Sequence, residues 1–222
     1  MSVEHVIRQR ISRRELQKLM LTAPAPLSAA IALGRTSGLA LAQNDAATPA
    51  SDAPLLAPTP ECQDDEDLDL TQSQTEGPYF TPDSPERTSL LEEGMAGREL
   101  LFTGYVYSAA CTPVSKALLD FWHCDDAGIY DNDGYRLRGH QFTDADGRFE
   151  LTTIVPGIYP GRTRHIHLKV QAPGGPVLTT QVYFPDEPEN DRDGLFDERL
   201  VMHVESDESR DIAFYTFVVE EA

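Results

Sequence analysis

Positive charge is scarce in this chain: 18 Lys and Arg stand against 37 Asp and Glu in 222 residues, a formal net charge of −19. A surface of that sign repels polyanions at long range, which excludes nucleic acid and anionic membrane from the natural partners. Also missing is any uninterrupted apolar run near the ~20 residues that span a bilayer, so no membrane span is expected. The one Trp, eight Tyr and nine Phe all lie at or beyond Tyr79. Aromatic side chains supply much of the area a core buries, so the folded part is expected to begin near there. The length suits one domain with a tail, and there is no internal repeat.

What precedes Tyr79 divides in two. Residues 1–42 hold six basic and two acidic residues. Within them, Ser12 to Lys18 reads S-R-R-E-L-Q-K, which resembles the twin-arginine pattern of bacterial (Tat) export signals. A mildly apolar stretch, Leu19 to Leu33, follows, and Ala40-Leu41-Ala42 offers small residues for a signal peptidase. Export to the periplasm or beyond the cell is therefore expected, against the plainer reading of a basic amphipathic helix docked on the domain. Residues 43–75 are expected to be an acidic linker or extended arm. From Gln43 to Gln74 there is no Lys, Arg or aromatic residue, and the run Asp64-Asp65-Glu66-Asp67 repels itself, a composition that cannot offset the entropy of ordering.

From residue 76 to 222 the pattern is that of short strands. Glu99 to Tyr107, Lys116 to Cys124, Arg148 to Ile154, His165 to Gln171, Val177 to Phe184 and Ile212 to Val219 are rich in β-branched and aromatic residues. Turn-forming stretches such as Asp144-Ala145-Asp146-Gly147 and Pro173-Gly174-Gly175-Pro176 separate them. This predicts an all-β fold, a β-sandwich of mainly antiparallel strands with long loops and little helix. Helix is expected only in short pieces, for example around Leu90 to Met95.

The strand beginning His165-Ile166-His167 puts two imidazoles two residues apart, hence on one face, at a spacing that suits two cis positions on a metal. On its own H-x-H describes exposed or core histidines equally well. Val155 to Arg162 places Tyr159 and Arg162 just before the pair, in a loop whose Pro and Gly residues hold the tyrosine in place. A second tyrosine, Tyr130, follows Phe121-Trp122-His123-Cys124. Tyrosine titrates near pH ~10 and becomes a ligand only beside a strongly Lewis-acidic centre. Two phenolates with two imidazoles suit Fe(III). Taken singly, either tyrosine reads more simply as an amphipathic residue capping a loop.

Five strings occur in one order: S-Q-T-E-G-P-Y-F from Ser73, D-F-W-H-C-D-D-A-G-I-Y from Asp120, T-D-A-D-G-R-F from Thr143, P-G-I-Y-P-G-R-T-R-H-I-H from Pro156, and T-Q-V-Y-F from Thr180. Together they resemble the intradiol ring-cleavage dioxygenases, the family of protocatechuate 3,4- and catechol 1,2-dioxygenases, over Ser73 to Ala222. The resemblance implies non-haem Fe(III) held by Tyr130, Tyr159, His165 and His167, with Tyr159 leaving the metal to accept a proton when substrate binds. It implies that Arg162 stabilises anionic intermediates, that Gln181 lines the pocket and that Trp122 packs near the iron. The substrates it implies are a small aromatic diol of the catechol type and O2, with a cis,cis-muconate-type dicarboxylate as product. Thr75, Gly77, Pro78 and Tyr79 match a segment that, in protocatechuate enzymes, one subunit contributes to the partner's pocket; here it lies on the same chain as the proposed ligands.

The match has departures. Where catechol 1,2-dioxygenases carry an N-terminal helical dimerisation domain only the short acidic segment is available, so that subgroup is not expected, and homo-oligomerisation is left open. Gly161 stands where protocatechuate enzymes carry a bulky tryptophan, and His123-Cys124 replaces the usual Gln-Ala, both of which speak against protocatechuate as substrate. Trp-His-Cys with an export signal is more similar to the secreted single-chain branch of the family. Of three cysteines, Cys111 and Cys124 would lie ~20 Å apart at ~3.3 Å per residue if the strands around them formed a hairpin, beyond the ~7 Å a disulfide spans. Cys62 is therefore expected to pair with one of them and the other to be a buried thiol. Two rival classes remain: a non-catalytic prealbumin-like or carbohydrate-binding β-sandwich module, and another histidine-based metal enzyme such as a cupin-like Fe(II) oxygenase or a zinc hydrolase. Neither uses two tyrosines converging on H-x-H.

Overall fold

The computed structural model describes residues 68–222. The export signal expected in residues 1–42 and most of the acidic arm lie outside the described residues, as does Cys62. Among the described residues eight strands follow one another: β1 (Glu99–Ser108), β2 (Leu118–Trp122), β3 (Arg138–Phe142), β4 (Arg148–Ile154), β5 (His165–Gln171), β6 (Val177–Tyr183), β7 (His203–Ser206) and β8 (Arg210–Val219), with a 3-10 turn at Glu198–Leu200. They form two four-stranded sheets, ordered β4-β1-β8-β7 and β3-β2-β5-β6. Pairing is antiparallel throughout except β1 with β8, which run parallel. The fold is the all-β sandwich that the alternating sequence pattern implies.

Alternation decides which face of each strand is buried between the sheets. Leu100, Phe102 and Val106 of β1 meet Leu119 and Phe121 of β2 and Ile166, Leu168 and Val170 of β5 in one core. Phe102 joins the layers, edge-on to Phe121 at 6.0 Å and to Phe149 at 5.1 Å. The intervening residues of the β3-β2-β5-β6 sheet point the other way. Trp122, His165, His167, Gln181 and Tyr183 thus share its outer face, where loops cover them.

The expected strand bounds differ from the observed ones by two residues or fewer, and two strands carry no sequence signal. β3, R-G-H-Q-F, has no β-branched residue and β7, H-V-E-S, has only Val204, and each forms because a neighbour offers a free edge. The expected helix at Leu90 to Met95 is absent. The segment instead runs beside β4, with the Leu90 amide bonded to the Thr152 carbonyl, and ends in a turn closed from Met95 N–H to Glu92 O (3.1 Å) at Gly94, φ +75°. Burial of Leu90 in the core overrides its helix propensity. The strands flanking Cys111 form no hairpin either, since β1 and β2 belong to opposite sheets. Cys111 is disulfide-bonded and Cys124 is a buried free thiol.

Residues 68–75 lie along the sandwich in extended form. Thr71 N–H donates to Val218 O (3.0 Å) and Gln74 N–H to Thr179 O (2.8 Å), while the Thr180 hydroxyl donates to Gln72 O (2.7 Å).

Candidate metal centre

The site is assembled from one row across the sheet and three loops. In the register of β2, β5 and β6, His167 stands opposite Trp122 on one side and Gln181 on the other, and His165 stands opposite Tyr183. Trp122 stacks on the His167 ring at 5.0 Å and 10°. Both histidines are buried.

Tyr130 is delivered by a loop that its own aspartates shape. The Asp125 carboxylate accepts from the amides of Ala127 and Ile129, and that of Asp131 from those of Asp133, Gly134 and Arg136. Such turns predefine the backbone without tertiary help. Arg138, buried on β3, donates to the carbonyls of both Asp131 and Tyr79, clamping the loops on either side of Tyr130. Tyr159 sits on a tight turn closed from Arg162 N–H to Tyr159 O (3.0 Å), with Gly161 at φ +83°.

The elements converge. The Nε2 atoms of His165 and His167 face each other at 3.1 Å, and the Tyr130 hydroxyl lies 3.4 Å from His165 Nε2. The Tyr159 ring meets that of Tyr130 edge-on at 5.8 Å. Tyr79 stacks on Tyr130 at 4.4 Å, and its hydroxyl is 2.7 Å from that of Tyr159. Gly77 passes directly over His167: at φ +71°, a Cβ there would lie 3.4 Å from His167 Cε1.

The donor set fits a Lewis-acidic cation. His165 Nδ1 donates to the Thr163 carbonyl (2.6 Å), which leaves a lone pair on Nε2 pointing into the cluster. Among the described residues His167 Nδ1 is buried without a hydrogen-bond partner, and Trp122 stacks on its ring. Burial pushes His165 down to about 4 and His167 well below its ordinary value, so both are neutral at neutral pH. Burial above all raises the Tyr130 phenol, against the opposing Arg162 and Arg138. That phenol ionises only if a strong positive charge is beside it. Among the described residues, no three His, Cys, Asp or Glu gather in a group able to hold a metal. The cluster therefore has the make-up of a tyrosine–histidine centre, distinct from a thiolate or histidine–carboxylate one.

The remaining predicted residues form its surroundings. Arg162 donates from Nε to Asp193 Oδ2 (2.8 Å) and from Nη2 to Gln181 Oε1 (2.7 Å), and the Gln181 amide donates to Thr75 O (2.8 Å). Gln181 is fully buried and spends its amide on this chain. Thr75 enters through its carbonyl, while its hydroxyl accepts from Gly77 N–H. Pro78 is exposed between Gly77 and Tyr79. Arg138 and Asp193 were missed from sequence. An arginine in R-G-H-Q-F and an aspartate in D-R-D-G read as surface and turn, and nothing local says what they meet. Cys124 packs beside Trp122 and Tyr130, its thiol pushed up to about 11 by burial.

Fold and site together define a β-sandwich protein with a largely buried two-tyrosine, two-histidine cluster and an arginine nearby. Residues 75–217 match the dioxygenase family model, and the chain belongs to the intradiol ring-cleavage dioxygenase family. It is similar to the dioxygenase domain of a dioxygenase–carbohydrate-binding protein fusion from Streptomyces sp. SirexAA-E, at 56% identity and a TM-score of 0.68, covering 69% of this chain and 100% of that one. Among curated relatives, hydroxyquinol 1,2-dioxygenase of Rhodococcus opacus is 31% identical over 153 residues, 58% of this chain and 51% of that protein. Catechol 1,2-dioxygenase of Candida albicans is 28% identical over 171 residues, 64% of this chain and 56% of that protein. The chain thus spans about half the length of these curated relatives.

Proposed function

We propose that the chain is a non-haem Fe(III) intradiol dioxygenase. It takes a catechol-type diol and O2, cleaves the ring between the two hydroxyl-bearing carbons, and releases a cis,cis-muconate-type dicarboxylate carrying both oxygen atoms. The observation that carries this reading is the meeting of two phenols with a buried, neutral imidazole pair that, among the described residues, has no group of three His, Cys, Asp or Glu around it. Tyr130, Tyr159, His165 and His167 would hold the iron. Bound Fe(III) supplies the Lewis acidity that allows phenols and a catechol to lose protons at neutral pH.

The protein's own residues do the rest. Tyr159 is only half-buried, and its hydroxyl shares a hydrogen bond with that of Tyr79, a place where a proton released by the diol can be held. Arg162 keeps a fixed positive charge beside the electron-rich ring in a poorly solvated site. Trp122, Tyr79 and Phe80 pack around the cluster and exclude water. A non-catalytic sandwich module is disfavoured, because it would display its aromatics, whereas Trp122 is 1% and Tyr130 6% exposed.

Loading the purified chain with Fe(III) is expected to turn it wine-red through tyrosinate charge transfer, and catechol added under nitrogen to change the colour. Tyr130→Phe and Tyr159→Phe should each weaken that band and impair turnover, while His203→Ala, at an exposed residue of β7, should not. A colourless iron-loaded protein, or one bleached by His203→Ala alone, sinks the assignment. The Tat-like reading of residues 1–42 belongs to the same proposal: Arg13→Lys with Arg14→Lys should block passage of the folded enzyme out of the cytoplasm, and undiminished export would reject it.

A further inference from the structure

Both arginines of G-R-T-R-H-I-H are paired to acids on the loop that follows β6. Arg164 Nε donates to Glu187 (2.5 Å) and Arg162 Nε to Asp193 (2.8 Å). The two acids differ in burial. The Asp193 side chain is 3% exposed, against 19% for Glu187. Every Asp193 contact serves one arrangement: Oδ2 also accepts from the Thr163 amide (2.9 Å) and Oδ1 from the Leu195 amide (2.9 Å). Thr163 is the residue whose carbonyl fixes the His165 ring. On the other edge of the guanidinium, Gln181 Oε1 takes Nη2. The Tyr183 hydroxyl is a further hydrogen-bond neighbour of Arg162. One buried carboxylate and one buried amide therefore fix the plane of the Arg162 guanidinium.

We infer that Asp193 is the positioning residue of this site: it orients Arg162, and through Arg162 it sets the rate of ring cleavage without touching substrate. A charge-assisted bond to a desolvated carboxylate is about twice as strong as a neutral one and is directional. An arginine held this way presents its charge without first losing rotamer entropy, which is what preorganised electrostatic stabilisation requires. This inference rests on the intradiol reading for its kinetic part only.

The test uses the full chain in two forms. With Ga(III), a diamagnetic stand-in for Fe(III), the Arg162 Nε–H cross-peak, identified by its loss in Arg162→Lys, is expected to be protected from exchange, and Asp193→Asn should abolish that protection. With Fe(III), Asp193→Asn should keep the charge-transfer colour of the resting enzyme, while kcat and kcat/KM fall together by about 10- to 100-fold. The same substitution in an Arg162→Met background should cost nothing further, because the two residues act as one unit. Should Asp193→Asn fail to fold, Arg162→Lys carries the test: it keeps the charge but not the Nε–H, and full activity in it overturns the inference. So does an equal loss from Asp193→Asn in both backgrounds, bleaching of the iron colour by it, or an unchanged Nε–H signal. A wild type that is red with iron yet leaves catechols intact overturns the functional reading and the kinetic role of Asp193 with it. An active wild type with an indistinguishable Asp193→Asn variant overturns the inference alone.

Discussion

At the residue scale, the site works by withholding water from groups that would otherwise titrate. His123 makes this measurable outside the four-residue cluster. It is fully buried on the strand side of Trp122, its ring between the Cys124 carbonyl (2.7 Å) and the Thr153 hydroxyl (2.8 Å). Burial pushes it from its ordinary 6.5 down to about 4. The folded state thus binds fewer protons than the unfolded one between those values, so stability is retained above pH 6.5 and falls as the pH drops toward 4, by about 3 kcal/mol from this residue. In the iron-loaded protein, His123→Gln should flatten the pH dependence of the denaturant midpoint over that window. An unaltered slope would mean that His123 stays exposed to protons in the fold. Much of the residue-level chemistry was legible in advance. H-x-H on a strand forces both imidazoles to one side, and a tyrosine amid Pro and Gly marks a loop with a fixed side chain. Asp193 and Arg138 were not legible, because an ion pair or a carbonyl clamp formed across 31 or 59 residues of chain leaves no local pattern.

At the element scale, β1 carries the sandwich. It lies between β4 and β8, and nine of its ten residues are buried. Gly104 is where the parallel neighbour comes closest: a Cβ there would stand 1.7 Å from the Tyr215 carbonyl oxygen. Backbone cannot yield as a flexible side chain would, so Gly104→Ala is expected to cost more than about 4 kcal/mol, beyond the usual range for a point substitution. Thermal unfolding that shifts by only a degree or two would show the strands to be looser than this packing implies. Six strands could be read from β-branched and aromatic runs. β3 and β7 could not, because their stability comes from a neighbour's unpaired edge and not from their own residues. The expected helix at Leu90 failed for the complementary reason: one leucine gains more by entering the core than six residues gain from a helical turn.

At the scale of the whole molecule, composition divides the chain at about residue 75, but the hydrogen bonds do not. Residues 68–75 are tied to β6 and β8, and the Thr75 carbonyl is the last link of the chain running from Asp193 through Arg162 and Gln181. Removing residues 1–75 is therefore expected to lower both the unfolding midpoint and catechol turnover relative to removing residues 1–67. Equal behaviour of the two truncations would show that the segment merely lies on the surface. The net charge of −19 bears on partners at long range and hardly on this chemistry, which depends on a few desolvated groups. By itself, the sequence determined the strand alternation, the sandwich class, the family and the four side chains proposed as donors, because each is written in local spacing or in strings kept in register. The tertiary structure alone decided which strands are neighbours, that β1 and β8 run parallel, that Trp122, His167 and Gln181 stand in one row, and that Asp193 meets Arg162. Those outcomes depend on the free energy of burying all the elements together, and no segment of the chain holds that information on its own.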